Sequence, residues 1–310
     1  AKAKASSAVV QWVAKDGLGK IGRVLFSWAR GSDLDNNSKT WRLVADVLND
    51  IGLGLELVSP LFPAFFFTLV ALGTVCKAIV GVAGGATRAA LTQHFAQEDN
   101  FADVAAKDDS QEMVVGLVGM AIGLQLTVSL AENTTALFVA YFVLTMCHIL
   151  SNLFAVKSIC LNTFNQQRLH ILLNHYAQTG HILHPDQVRL RENVLFPWLG
   201  CRIVLGAHLT DMAPLFATSQ PKTGAKCMVR IASATTAYVA LSTDAAAIDQ
   251  IEAFSEAYAQ LRDMQLDVPR LMNKLPSQGW RVDVAHLGAT PVRLCWDQTQ
   301  HVKTAGSFTV

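Results

Sequence analysis

Charged side chains are scarce in this chain of 310 residues, because Asp, Glu, Lys and Arg together make up 16% of it, against roughly a quarter of an ordinary soluble domain. The mean hydropathy is +0.31. Much of the surface must therefore face an environment other than water, and lipid is the simplest candidate. The length exceeds what one hydrophobic core usually organises and predicts two structural units.

The chain also lacks an excess of one charge. A net charge of +1 gives no global field that would attract nucleic acid. No run of Lys or Arg is interleaved with aromatic residues, as a nucleic-acid groove would need. Nucleic acid is therefore not predicted as a partner.

Redox, metal and catalytic sets are missing as well. The six cysteines form no C-x-x-C pair. This pattern indicates cysteines that serve as small apolar side chains in a reducing compartment. His181 and His184 lie three residues apart, but no carboxylate or cysteine nearby completes a metal site. Because no nucleophile, base or metal set is recognisable, we predict no metal, no cofactor and no enzymatic activity.

One glycine motif matches the dinucleotide-binding fingerprint, namely Gly17-Leu-Gly19-Lys-Ile-Gly22. That fingerprint needs a buried strand before it, a helix after it and a βαβ unit around it. The residues before the motif have a helical pattern and no α/β alternation follows. Nucleotide binding by this segment is therefore not predicted.

Three runs without charge, at 57–76, 113–131 and 133–156, are long enough to cross a hydrocarbon core of about 30 Å as helices. The second and third are separated by a short polar turn, which predicts an antiparallel transmembrane hairpin; a pair of buried helices in a soluble protein is the alternative. A further uncharged run at 78–87 is too short to form an independent span, because Lys77 and Arg88 flank it directly. The sequence therefore predicts a mainly α-helical, polytopic membrane bundle with three or four spans.

The N-terminal segment before these runs is polar and basic. Its Lys and Arg residues predict that it faces the cytosol or its organellar equivalent, by the positive-inside rule. Within the bundle, small residues recur at the spacing that lets helices approach closely in lipid. We expect these pairs, Gly81 with Gly85 and Gly119 with Gly123, to pack helices together within the bundle or between protomers.

Polar residues beside the apolar runs are the candidate functional residues. His148 and Asn152 lie four residues apart inside the last run, which indicates an interhelical hydrogen bond or, alternatively, a transport or proton pathway. A polar stripe precedes the first run. Within this stripe, Arg42 and Asp46 can pair at i, i+4, and Glu56 would need a partner such as Lys77 or Arg88. The alternating charges that follow Arg88 are either a plain solvated face or part of a polar cluster centred on Arg88, which is structural or binds an anionic ligand. The candidate cluster comprises Arg42, Asp46, Asn49, Asp50, Glu56, Lys77, Arg88, Asp103, Lys107, Asp108 and Glu112.

The C-terminal part has a different pattern. We predict a helical membrane domain over 1–176, a linker over 177–225 and a small soluble α+β module over 226–310. Within the module, strands are expected at 227–231, 237–241, 280–285 and 292–296, and helices at 244–263 and 269–275. Modules of this kind usually bind a partner or regulate.

Four stretches carry a resemblance to a known family. They are KDGLG at 15–19, WRLVADVLND at 41–50, AGGATRAAL at 83–91 and NFADVAAKDDSQE at 100–112. In these stretches the chain resembles the root UV-B-sensitive (RUS) protein family. The resemblance runs from about residue 9 to residue 176 and is weak beyond.

The resemblance implies a multi-pass membrane protein, located in the plastid in a plant or alga. It also implies a role in development, UV-B response, auxin transport and vitamin B6 homeostasis, but no catalytic residues. Two hypotheses follow. The first is a membrane-embedded adaptor or regulator that binds a protein partner, such as another RUS-type protein. The second is a small-metabolite transporter or carrier.

Overall fold

The computed structural model describes residues 2–97, 99–130, 132–195, 200–217, 225–295 and 303–304. The chain divides into two compact units, one of residues 1–156 and one of residues 157–310. The first unit is helical, and the second combines short strands with helices.

Five helices form the first unit. They are α1 (Lys2–Asn36), α2 (Ser38–Val58), α3 (Phe66–Phe95), α4 (Phe101–Leu130) and α5 (Thr134–Ser158). Two short 3-10 turns, Ser59–Leu61 and Pro63–Phe65, separate α2 from α3. The break falls there because Pro60 and Pro63 each lack the backbone N–H that a continuing α-helix needs.

Three helical segments are long and apolar enough to cross a membrane, in agreement with the predicted membrane bundle. They are Pro63–Phe95, Phe101–Leu130 and Thr134–Ser158, with mean hydropathies of 2.1, 2.0 and 1.8. The first differs from the predicted run at 57–76, since residues 57 and 58 end α2 and α3 continues through 78–87 without a break. The run at 78–87 is therefore part of one long helix and not a separate span.

The predicted turn of the hairpin is present between α4 and α5. The side-chain Oδ1 of Asn133 accepts a hydrogen bond from the backbone N–H of Ala136 at 3.0 Å and thereby caps α5. No residue of α4 is buried, so its large apolar side chains are available to lipid along the whole helix. Close packing of α4 on α5 stays a prediction.

Helices α1 and α2 both pack on α3 through glycines. A Cβ on Gly19 or Gly22 would lie 3.0 Å from the side chain of Thr74 or Val75, respectively. The dinucleotide-like motif therefore lies inside a helix, where its second and third glycines allow close approach to α3. The α2 contact is closer still, since a Cβ on Gly73 would lie 2.9 Å from the carbonyl oxygen of Gly52.

The glycine pairs expected to pack helices have different surroundings. A Cβ on Gly81 would lie 2.7 Å from Nη2 of Arg23, whereas nothing lies within 4 Å of one on Gly85, Gly119 or Gly123. The four-residue spacing of small residues alone did not identify the close contacts within this unit. A contact between protomers through Gly119 and Gly123 stays a prediction.

Replacing Gly73 by alanine should separate α2 from α3. The added methyl group would meet the backbone of Gly52, which cannot rotate away as a side chain could. We expect Gly73→Ala to lower the free energy of unfolding by about 1–3 kcal/mol, as overpacking does, measured by thermal unfolding in detergent. Gly84→Ala in the same helix is the matched control, because nothing lies within 4 Å of its Cβ. Equal effects of the two changes would contradict the proposed contact.

The second unit is a small α/β structure, as predicted. Its helices are α6 (Gln166–Thr179), α7 (Pro185–Arg189), α8 (Leu209–Phe216), α9 (Ala247–Leu261) and α10 (Val268–Lys274). Its strands are β1 (Phe164–Asn165), β2 (Arg202–Leu205), β3 (Cys227–Ser233), β4 (Thr236–Leu241), β5 (Ala285–His286), β6 (Leu294–Cys295) and β7 (Lys303–Thr304).

The main sheet has the strand order β2-β4-β3. Strand β4 lies in the centre, parallel to β2 and antiparallel to β3. Two further pairs complete the strands of this unit, parallel β1 with β5 and antiparallel β6 with β7. The core lies between the sheet and helices α6, α9 and α10, with Leu172, Phe254 and Leu271 fully buried or nearly so.

The predicted domain boundary and linker differ from this arrangement. The segment expected to link the domains supplies Leu183, Val188, Ile203 and Leu205 to the same core. It also supplies β2, the parallel neighbour of the central strand β4. The sheet is therefore incomplete within 226–310, because long-range parallel pairing leaves no local signal in a four-residue strand.

The expected strand at 280–285 also differs. Only its last residue belongs to a strand, β5, and Trp280 instead packs into the core and stacks on Phe164, with ring centroids 4.3 Å apart. Its indole Nε1 donates a hydrogen bond to the carbonyl of Leu183 at 2.8 Å. Of the expected strand at 292–296, residues 294 and 295 form β6, and residue 296 lies outside the described residues.

Candidate functional site

A polar contact joins α2 to α5 in the first unit. Nδ1 of His148 lies 2.9 Å from Oδ2 of Asp50, whose side chain is only 9% exposed. The hydroxyl of Tyr141 donates a hydrogen bond to the backbone carbonyl of Asp50 at 2.7 Å. Gly54 leaves room for that ring, since a Cβ there would lie 2.5 Å from the Tyr141 hydroxyl.

Sequence reasoning identified Asp50 and His148 but not their juxtaposition, and it missed Tyr141. Tyr141 stands seven residues before His148, which places both on one side of α5 after two turns. That spacing was the available signal. Asn152, one further turn along α5, is half-buried, but the described residues include no hydrogen-bond partner for its side chain.

Asp46 lies one turn before Asp50 on α2. Its Oδ2 is buried without a hydrogen-bond partner among the described residues. Burial raises the pKa of this carboxyl, and the positive charge of Arg42 partly opposes the shift. Arg42 and Asp46, which were expected to pair at i, i+4, therefore interact electrostatically. Asn49, which lies between Asp46 and Asp50 in the sequence, is half-buried.

Glu56 and Lys77 form a second polar contact, between α2 and α3. Nζ of Lys77 lies 2.5 Å from Oε2 of Glu56. Glu56 abuts the apolar end of α2 and Lys77 lies within a candidate span, so each charge has a partner where an unpaired charge would be costly. The structure thus brings together two residues that the sequence proposed as partners.

Arg88 is the centre of a third polar group, between α3 and α4. Its Nη2 lies 2.7 Å from Asp108, 2.6 Å from Asp109 and 2.9 Å from Glu112, and its Nε donates to Asp108 at 2.8 Å. Asp109 was missed, although it directly follows Asp108 in the sequence. Lys107 pairs instead with Asp103, at 2.7 Å and one turn apart on α4.

The residues of the predicted cluster therefore fall into separate groups. Among the described residues, no hydrogen bond or ion pair joins the Asp50–His148 contact, the Glu56–Lys77 contact and the Arg88 group. Each group pins one pair of helices. The eleven candidate residues therefore do not form a single ligand site.

The described residues of the second unit contribute no metal-binding group. No group of three His, Cys, Asp or Glu residues is placed to hold a metal ion. His184 caps α7, with Nδ1 accepting from the backbone N–H of Asp186. Burial, helped by Glu256 nearby, raises the pKa of the Cys227 thiol to about 12, so that thiol is protonated at neutral pH and is a poor nucleophile.

Comparison with known proteins links the first unit to a described domain. A family model for a vitamin B6 photo-protection and homoeostasis domain matches residues 1–180. This range contains all three polar groups and extends into the second unit through α6. No solved structure matches the chain.

Curated relatives match over the same region. Protein root UVB sensitive 3 of Arabidopsis thaliana is 47% identical over 191 residues, covering 62% of this chain and 43% of the relative. RUS family member 1 of Dictyostelium discoideum is 41% identical over 214 residues, covering 68% and 41%. Protein root UVB sensitive 2, chloroplastic, of Arabidopsis thaliana is 34% identical over 193 residues, covering 62% and 44%. The chain spans about two fifths of the length of these relatives.

Proposed function

Because this chain belongs to the root UV-B-sensitive family, we propose that it is a multi-pass membrane regulator of vitamin B6 homeostasis, acting as an adaptor and not as an enzyme. Under this proposal its helical unit is embedded in lipid and its α/β unit recruits a protein partner. The matched domain covers residues 1–180, and the three candidate spans lie inside that range.

One observation carries the proposal, namely that at three places charges beside the apolar helices are partnered within the protein. Asp50 meets His148, Glu56 meets Lys77, and Arg88 meets three acids. Polar groups that satisfy one another between helices fix helix positions in lipid. Such an arrangement supports a scaffold more than a path for a polar solute.

The finer roles come from the family. We propose participation in development, in the UV-B response and in auxin transport, and a plastid membrane location if the source is a plant or alga. One relative carries the word chloroplastic in its name. For the partner, we propose another RUS-type protein, which could approach the glycines of α4, where Gly119 and Gly123 have no neighbour within 4 Å.

A specific observation favours transport as a second candidate. Oδ2 of Asp46 is buried without a hydrogen-bond partner among the described residues, close enough to Asp50 and His148 for their charges to influence it. Two carboxylates and an imidazole near one another can bind and release protons. A small-metabolite carrier could use such a group.

A transport assay combined with a complementation assay distinguishes the regulator from the carrier. Purified protein in liposomes should take up pyridoxine or pyridoxal phosphate no faster than protein-free liposomes, while the same protein restores B6 vitamer pools in a cell line lacking its family member. Arg88→Lys should fail to restore the pools, because an ammonium cannot replace a guanidinium whose Nε donates to Asp108 while its Nη2 lies beside three acids. Asp103→Asn, in an exposed pair on α4, is the matched control and should restore them.

Two results would count against the regulator. Uptake that exceeds the protein-free level and is lost in the Asp50→Asn variant would favour the carrier over the regulator. Full restoration by Arg88→Lys would show that the α3–α4 group has no functional part.

A further inference from the structure

Helix α1 carries an apolar face that no described residue covers. From position 13 onward, its exposed large apolar residues are Val13, Leu18, Ile21, Val24, Leu25 and Trp28, each between 42% and 87% exposed. With 3.6 residues per turn, these six positions fall within about 140° of the helix circumference. An apolar stripe of that width is typical of a helix that buries one face.

This face is distinct from the one that packs on α3. Gly19 and Gly22 approach Thr74 and Val75, and Phe26 packs against the small cluster around Ala83. The centres of the two faces lie about 140° apart around α1. The exposed apolar face therefore points away from α3, and the close packing of the bundle leaves it uncovered.

The contact with α3 also gives the depth of α1. Thr74 and Val75 belong to the candidate span Pro63–Phe95, so the middle of α1 lies beside a segment at membrane depth. Lys20 lies on the flank between the two faces and pairs with Asp16 at 2.9 Å, whereas the guanidinium of Arg23, on the same flank, lies against Gly81 of α3. Long cationic side chains can reach from such a flank to lipid headgroups while their stems stay in apolar surroundings.

We propose that the exposed face of α1 is a lipid-contacting surface, with Ile21 and Val24 against acyl chains and Lys20, on its flank, toward anionic headgroups. Trp28, at the end of this face and 87% exposed, is the residue type enriched where a helix meets the membrane interface. The N-terminal segment, whose charges predict that it faces the cytosol or its organellar equivalent, then contacts lipid along one face of α1. The inference holds whether the domain regulates or transports.

Spin labelling of the full chain in liposomes of phosphatidylcholine and phosphatidylglycerol tests this surface. Introducing p-acetylphenylalanine at position 21, 24 or 27 and coupling a nitroxide to its ketone leaves the six native cysteines untouched. Collision of the label with oxygen, which concentrates in lipid, is compared with collision with the water-soluble nickel ethylenediaminediacetate complex. Positions 21 and 24 should show a severalfold higher oxygen-to-nickel ratio than position 27.

Position 27 is the matched control for position 21, because Ser27 is also exposed but lies about 120° from Ile21, on the flank that carries Lys20. A label at position 118 of α4 reports lipid contact in a candidate span. High nickel access at positions 21 and 24 would place the face in water and overturn the proposal. Low access to both reagents would mean that another protein chain covers it, which would also overturn the proposal. A water-accessible position 118 would show that the membrane placement of the whole unit had failed.

Discussion

Glu192→Gln is expected to destabilise the second unit by about 3–5 kcal/mol, because it removes one partner of a buried ion pair. Nη1 of Arg168 lies 2.9 Å from Oε1 of Glu192, and each side chain is only 4% exposed. Burial lowers the pKa of Arg168, and the Glu192 carboxylate opposes that shift. Without the carboxylate the guanidinium would remain buried and uncompensated. Hydrogen exchange of α6 in denaturant, measured on the full chain in detergent, reports the change.

Two further variants separate the ion pair from ordinary surface charge. Asp186→Asn removes an exposed acid of α7, which lies 3.7 Å from Arg189, and should cost at most about 1 kcal/mol. The double variant Arg168→Met with Glu192→Leu should recover part of the stability lost in Glu192→Gln, since apolar residues of similar volume often replace a buried pair without loss. A cost for Glu192→Gln no larger than that for Asp186→Asn would contradict the role assigned to the pair.

The second large effect is expected at the membrane. Leu144, near the middle of α5 and exposed, should contact lipid, so Leu144→Arg is expected to raise the free energy of insertion of α5 by about 2.5–3.5 kcal/mol. That corresponds to roughly a hundredfold change in the insertion equilibrium. Glycosylation acceptor sites placed before and after α5 in the full chain, translated with microsomes, report the fraction that crosses.

The same substitution at the end of α5, near the membrane interface, is the control for Leu144→Arg. Thr134→Arg introduces the same charge at the first residue of α5, where the side chain can reach the interface, and should leave insertion nearly unchanged. Equal insertion of the Leu144→Arg and native chains would argue that α5 does not lie in lipid. Release of the native protein from membranes by alkaline carbonate would argue the same for the whole unit.

The sequence predicted what depends on neighbours along the chain. Scarcity of charge and uncharged runs of about twenty residues were enough for the apolar helices, because the energy of a lipid-exposed helix is set mainly by its own side chains. Strands β3 and β4 were also foreseen, since they are joined by a short turn and their alternation is local. The resemblance carried by 41–50 and 83–91 led to the family, which the comparisons confirm.

Other features depended on partners distant in sequence. The close helix contacts use Gly19, Gly22, Gly52 and Gly73, whereas small-residue spacing had favoured Gly81, Gly85, Gly119 and Gly123. Every glycine offers the same lack of a side chain, so the spacing cannot tell which ones meet a facing helix. Similarly, the candidate polar residues were identified from their types, but their division into separate groups follows from which helices lie side by side.

By itself, then, the sequence determined the composition of each helix, including the three helical segments long and apolar enough to cross a membrane, and the family. Only the tertiary structure decided that Asp50 meets His148 98 residues away, that the predicted linker supplies strand β2 to the sheet, and that α1 turns an apolar face away from α3. The physical reason is that a contact between distant residues requires both the right side chains and a backbone that brings them together, and only the first of these conditions is visible in a single segment of sequence.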